Sequence, residues 1–279
     1  MSDISYNQAI SELNALLSRG AGYPPTVAEL KSIISRTKVT QFDPANLSLD
    51  RVGAIKGAIL YSGIVKDDVH TGALAAALNA VDPSLVTING SYVGRLLNPN
   101  DSPFYAVMSR AVERENPTLS VEEVEKLIGS STGGFWSTAS ERFASVHANG
   151  KIIALVPNLS GLDPSKIFGS NEVKVLMQGT GTGAINGISL SELRLRYNAQ
   201  ASAIGSAKAL EDIAHVVSVK SLSDSWANVS VDTSSGSTRA RFGAAFFESV
   251  GIPNGTLSSA GYSATGAKRM WWMAPAHGI

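Results

Sequence analysis

The sequence predicts an α/β protein: a helical N-terminal region, then a region in which a short, mainly parallel sheet is flanked by helices. Three observations carry this expectation. Residues 152–156 (Ile-Ile-Ala-Leu-Val) form an unbroken apolar run between Gly150 and Pro157, the pattern of a strand covered on both faces. Apolar residues at three- and four-residue spacing recur on either side of it, and helices alternating with short apolar strands build parallel sheets. The 279 residues are 44% hydrophobic and only 16% charged, too apolar for a disordered chain and enough to bury a sizeable core.

The elements follow in order. Ile10, Leu13, Leu16 and Leu17 share one face of a first helix. Pro24-Pro25 breaks the chain, and Thr26 caps a second helix carrying Val27, Leu30, Ile33 and Ile34. Residues 49–65 and 67–80 read as two further helices, the second rich in alanine. Turn signals at Asp82-Pro83 and Asn98-Pro99-Asn100 place a boundary near 98–103. It separates a helical region, 1–98, from a catalytic region, 99–279. The first is either a helical lobe of the same fold or a piece used for export or loading.

Beyond the boundary, Phe104, Met108, Ala111 and Val112 form a helical stripe that stops at Asn116-Pro117. Ser120 with Glu123 is a capping box opening a short helix to Leu127. The loop 129–134 leads into a helix from Phe135 to about His147, with Trp136, Ser140, Phe143 and Ala144 on one face. Residues 172–177 and 215–219 are the second and third candidate strands, the third preceded by a helix over 202–213. From Asp232 onward the chain is rich in Ser, Gly and Thr, with an apolar island at 242–250 and a Trp271-Trp272 pair. No internal repeat is visible.

Several function classes recede at once. Twenty-three basic residues balance twenty-three acidic ones, so no electrostatic footprint for nucleic acid or an anionic membrane is present. The absence of cysteine excludes disulfides, thiolate metal sites and cysteine nucleophiles, and fits a reducing compartment. His70, His147, His215 and His277 form no metal-ligand pair, and no GxSxG is present. The start, MSDISYNQAI, has no basic and apolar signal pattern, and the richest apolar stretch is far below the ~20 residues that span a bilayer. Gly179-Thr-Gly-Thr-Gly183 imitates a dinucleotide fingerprint but precedes a turn and strand instead of a helix, so it reads as a glycine-rich connection.

One constellation rises above these. Phe135-Trp136 opens a helix, Ser140 lies one turn on, and Phe143-Ala144 follow. A buried strand comes next, and then Phe168-Gly169-Ser170-Asn171-Glu172, which delivers a carboxylate thirty-six residues after the indole. A helix start offers free N–H groups to a phosphate. A carboxylate beside an aromatic floor suits a cationic ring and an oxocarbenium ion.

This order resembles the ADP-ribosyl cyclase/NAD+ glycohydrolase family, whose members carry an F-W-x-x-x-S-x-x-F/Y-A helix, a strand and an F-G-x-x-E turn. The resemblance covers about 104–177. It implies that Glu172 is the catalytic carboxylate, Trp136 the aromatic on the nicotinamide, and Ser140 a phosphate-contacting hydroxyl. Phe168, Gly169 and Ser170 are the turn that presents the acid. Leu119-Ser120-Val121-Glu122-Glu123 is similar to the family's acidic helix start, which places Glu122 at the nicotinamide amide. The family's upstream tryptophan corresponds to Tyr105, or to Met108 if Ser109-Arg110 set the alignment; Ser109 and Arg110 are placed in substrate binding, Arg110 at a phosphate.

The implied activity is cleavage of the nicotinamide–ribose bond of NAD+ or NADP+, without a cofactor or metal, to nicotinamide and ADP-ribose with some cyclic ADP-ribose. Animal members are disulfide-rich, whereas bacterial toxin domains similar to this family suit a chain without cysteine. A toxin implies a cognate immunity protein as partner. It also implies a cytoplasmic location in the producer and delivery into a target cell's cytosol without a signal peptide. Two other classes compete. An ADP-ribosyltransferase usually pairs its glutamate with Glu or Gln two residues earlier, where this chain has Ser170. A non-enzymatic assembly or coat protein would suit the neutral charge and the aromatic tail.

Overall fold

A computed structural model describes residues 3–40, 42–43, 46–50, 57–62, 71–72, 75, 79, 84–98, 102–129, 133–156, 168–221, 229–232, 237–242 and 261–265. It is a mixed α/β protein built around a five-stranded, mainly parallel sheet. The chain divides into two compact units, each made of two stretches: 1–53 with 88–146, and 54–87 with 147–279. The expected boundary near residues 98–103 therefore falls inside the first unit.

The first unit is helical. Helices α1 (Tyr6–Leu17) and α2 (Val27–Arg36) begin at Ser5 and Thr26, and each cap forms a reciprocal box with Gln8 or Glu29. The cap at Thr26 is the one the sequence predicts, and Glu29 extends it to a box. Leu13, Leu16, Leu30, Ile33 and Ile34 turn inward, while Leu17 stays exposed. A two-stranded ribbon, β1 (Phe42–Asp43) and β2 (Asn46–Asp50), follows. After it come α3 (Tyr92–Leu96), α4 (Phe104–Glu115), α5 (Val121–Ile128) and α6 (Phe135–Val146). Helix α2 packs on both α4 and α6, and α4 on α5. Phe104, Met108, Ala111 and Val112 are buried as their spacing predicts, and Ser120 and Glu123 form the expected capping box. Arg142 of α6 ties the start of the chain down, bonding the Thr37 carbonyl and the Asp3 carboxylate.

The second unit carries the sheet, in the order β4-β3-β5-β6-β7. Strands β3 (Gly57–Tyr61), β4 (Leu85–Thr87), β5 (Lys151–Leu155) and β6 (Ala184–Ile185) are parallel, and β7 (Ile188–Ser189) closes an antiparallel hairpin. Ile152, Ile153, Ala154 and Leu155 are fully buried, as a strand covered on both faces must be. Strands β3 and β4 correct the sequence expectation of helices alone before residue 98. The stretch 49–65 was expected as a helix, yet 57–61 is a strand fixed by pairing with β4 and β5.

Two other expected strands are helical. Residues 172–177 lie in a π turn (Phe168–Glu172) and α7 (Val173–Gln178), and 215–219 lie within α9 (Ser206–Ser221). Six residues such as Val-Lys-Val-Leu-Met-Gln fit either period. Burial of Val173, Leu176 and Met177, at i, i+3 and i+4, follows the helical one. Helix α8 (Leu190–Ile204) precedes α9 and packs along it, and α9 also covers the π turn and β5. A separate antiparallel sheet, β8 (Val229–Asp232), β9 (Ser237–Phe242) and β10 (Gly261–Thr265), comes last. The apolar island beyond Phe242, the Trp271-Trp272 pair, His70, His277 and loop residues 130–132 lie outside the described residues. Among the described residues, no helix is long and apolar enough to cross a membrane.

The glycine run 179–183 is structural. A Cβ on Gly183 would stand 2.0 Å from the Gly150 carbonyl, and one on Gly181 2.4 Å from the Ala148 Cβ. The run lies flat on the turn that starts β5, and the Gly183 and Ala184 N–H groups donate to Ala148 and Gly150. Arg194 pins it from α8 by donating to the Leu176 and Gly181 carbonyls.

Candidate active site

In the second unit, topology marks one place on the sheet. From β3 the chain crosses to β4 on one side, passing through helical backbone at Thr71, Gly72, Ala75 and Asn79. From β5 it crosses to β6 on the other side, through the π turn and α7. Parallel crossovers keep one hand, so connections leaving in opposite directions lie on opposite faces. The carboxyl ends of β3 and β5 therefore border a topological switch point, where open α/β sheets bind ligands.

The π turn lies on the crossover between β5 and β6, and the charge of its Glu172 is felt by Tyr61 at the carboxyl end of β3. Phe168, Gly169, Ser170 and Glu172, four of the residues singled out in the sequence, all lie within the turn's five residues. Phe168 and Gly169 are buried, Ser170 is half-buried and donates to the Asn171 side-chain oxygen at 2.6 Å, and Asn171 is buried. Glu172 is only 4% exposed, although carboxylates are rarely buried. A single widened turn inside a helix is a device often found at functional sites.

Facing this edge is a residue the sequence did not single out. Tyr61 ends β3 and pairs in register with Leu155 at the end of β5. The residue as a whole is half-buried, but its hydroxyl is in desolvated surroundings. Burial, and then the negative charge of Glu172, push the phenol well above the ordinary tyrosine range. Tyrosine and glutamate thus share one electrostatic environment at the switch point. No sequence signal could have found Tyr61, because its segment imitates a helix and only strand pairing places it.

The carboxyl end of β5 is braced on its other side by Asn186. This residue sits in the left-handed region (φ 48°) at the β6–β7 turn, followed by Gly187 at φ 80°. Its backbone N–H donates to the Ile152 carbonyl at 2.9 Å. Its side-chain oxygen accepts from the Ala154 N–H at 2.9 Å, and its amide nitrogen donates to the Ala154 carbonyl at 3.0 Å. The side chain thus continues a ladder that β6 leaves after two pairs.

The remaining sequence candidates belong to the first unit. Trp136, second residue of α6, is half-buried, and Ser140 one turn on is 4% exposed. The helix start is held by Ser137 and Thr138, whose hydroxyls donate to the Gly134 carbonyl at 2.9 Å. Lys31 of α2 lies 5.6 Å from the Phe135 ring centre and donates to the Gly133 carbonyl. Tyr105 opens α4. Ser109 donates to Glu113 at 3.0 Å, and Arg110 is exposed.

Glu122 has a 78% exposed side chain, paired with Lys126 at 2.9 Å on its own helix. The acid that Tyr105 senses is Glu125 instead. Burial, then the Glu125 charge, raise the Tyr105 phenol above its ordinary value. The sequence singled out the acidic start of α5, and the side chain coupled to Tyr105 lies one turn further along. Among the described residues, no three His, Asp or Glu side chains gather as a metal site requires. The chain matches no protein-family model, no curated protein and no solved structure.

Proposed function

We propose that this chain is an NAD(P)+ glycohydrolase that breaks the nicotinamide–ribose bond, with Glu172 as the carboxylate that serves the ribose. The observation that carries the reading is the placement of Glu172. It is a buried acid in a π turn, its charge felt by Tyr61 at the carboxyl end of a parallel strand, in the sequence order in which the resembled family keeps its glutamate.

The chemistry asks little of the protein. The C1′–N1 bond breaks with its electron pair going to nicotinamide, which leaves as a neutral molecule, and positive charge develops on the ribose. A fixed carboxylate in a low-dielectric setting stabilises that charge, and removing such a preorganised group commonly costs ~3 kcal/mol, a factor of about a hundred in rate. Water then adds at C1′ and loses a proton, giving ADP-ribose. Attack by the substrate's own adenine gives cyclic ADP-ribose instead. The resemblance assigns the nicotinamide contacts to Trp136, Tyr105 and Glu122 and a phosphate contact to Ser140.

The biological role that suits such an activity is an antagonistic bacterial toxin that exhausts NAD+ in a target cell, restrained in its producer by an immunity protein. Product analysis tests the reaction. Purified chain incubated with NAD+ should yield equal amounts of nicotinamide and free ADP-ribose, the latter with any cyclic form. Label transferred onto protein would indicate a transferase. A large assembly that leaves NAD+ intact would indicate a structural protein.

A further inference from the structure

The glycohydrolase reading leaves Tyr61 without a task, although it is the side chain the topology sets beside the Glu172 turn. Tyr61 is the last residue of β3, and its register partner Leu155 is the last of β5. These are the two strands whose crossovers depart in opposite directions. Side chains at the carboxyl ends of such a strand pair line the ligand crevice of open parallel sheets. The N–H of Ser62 donates to the Leu155 carbonyl at 3.2 Å, which keeps the end of β3 attached to β5 one residue beyond Tyr61. Below it, Ala58, Ile59 and Leu60 are fully buried, so the strand cannot shift to carry Tyr61 elsewhere.

We propose that Tyr61 is a substrate-binding residue of the Glu172 site, its phenol hydroxyl donating a hydrogen bond to a ribose hydroxyl of the dinucleotide. The proposal rests on the glycohydrolase reading and adds a residue to it. The division of labour is chemical. A sugar hydroxyl needs a neutral donor, and the ring bearing the developing positive charge needs an anion. Desolvated surroundings and the Glu172 charge both keep the Tyr61 proton in place, so the phenol remains a donor.

The experiment uses the full chain with 3-fluorotyrosine at position 61, observed by fluorine NMR, together with Tyr61→Phe. In the ligand-free protein, Glu172→Gln should move the fluorine resonance, because the neighbouring charge is removed. Added ADP-ribose should move it again. Tyr61→Phe keeps the ring and removes only the hydroxyl. It should raise KM for NAD+ about tenfold and leave kcat nearly unchanged, as expected for loss of one hydrogen bond made equally in the ground and transition states. If NAD+ is cleaved while the resonance ignores ADP-ribose and KM does not change, Tyr61 is not a ligand residue and the glycohydrolase reading stands. If the resonance ignores Glu172→Gln, the proposed pairing is overturned whatever the activity. If NAD+ is neither bound nor cleaved, the reading fails and the proposal with it.

Discussion

Replacing Asn186 by alanine is the most informative perturbation of the scaffold under the site. Three consequences can be counted. The Ala154 N–H loses its acceptor at 2.9 Å and the Ala154 carbonyl loses its donor at 3.0 Å, both on a fully buried strand. Each buried backbone group left unpaired costs ~1.5 kcal/mol. Alanine also lacks the tolerance of asparagine for φ near 48°, at about 1 kcal/mol. The sum is about 4 kcal/mol, a large fraction of a domain's stability.

Asn186→Gly separates the contributions. Glycine accepts the left-handed conformation freely, so only the ~3 kcal/mol from the two hydrogen bonds should be lost. Urea unfolding followed by circular dichroism gives the totals. Hydrogen exchange at the Ala154 amide gives the local effect, and its protection should fall in both variants. A loss below ~1 kcal/mol for alanine, unchanged exchange at Ala154, or glycine no better than alanine would refute the reasoning.

Three further outcomes follow from the structure. Gly183→Ala should destabilise by about 3 kcal/mol, because its Cβ would meet the Gly150 and Ala148 carbonyls at 2.0 and 2.7 Å and no side chain can yield; Gly22→Ala, with nothing within 4 Å, is the neutral control in the same thermal melt. Glu29 is held at about 2 by the Thr26 N–H, Arg19 and the Thr26 hydroxyl, so its folded pKa lies below its unfolded one. Its contribution to α2 is therefore complete above the usual carboxylate range and lost as pH falls toward 2; Glu29→Gln should flatten that part of the stability–pH curve, and an unchanged curve would contradict the assignment. Glu125→Gln should lower the Tyr105 phenol pKa in an ultraviolet difference titration while Glu122→Gln leaves it in place, and the reverse pattern would contradict the Glu125–Tyr105 coupling.

What the sequence disclosed depended on whether local pattern or long-range pairing decides an element. Strand β5 was readable because four consecutive buried residues between a glycine and a proline have few other uses. Helix α6, the cap at Thr26 and the capping box at Ser120 were readable because their signals lie within one turn. Strand β3 was not. Gly-Ala-Ile-Leu-Tyr carries no alternation, and only β4 and β5 on either side make it a strand. With β3 hidden, the switch point and Tyr61 were hidden as well.

The candidate site divided in the same way. Glu172 stood out from the order of its motif, although the turn that carries it read as a strand. Valines at alternate positions imitate β structure until the burial of Leu176 and Met177 imposes the helical period. The coupling of Glu125 to Tyr105 was not legible, since it depends on the packing of α4 against α5.

The most direct test of the account is the rate of nicotinamide release from NAD+ by the wild-type chain and by Glu172→Gln, which keeps the shape of the side chain and removes its charge. The account predicts measurable release by the wild type and a fall of about a hundredfold or more in the variant, with its fold unchanged by circular dichroism. Equal rates in the two proteins, or no release from either, would contradict it.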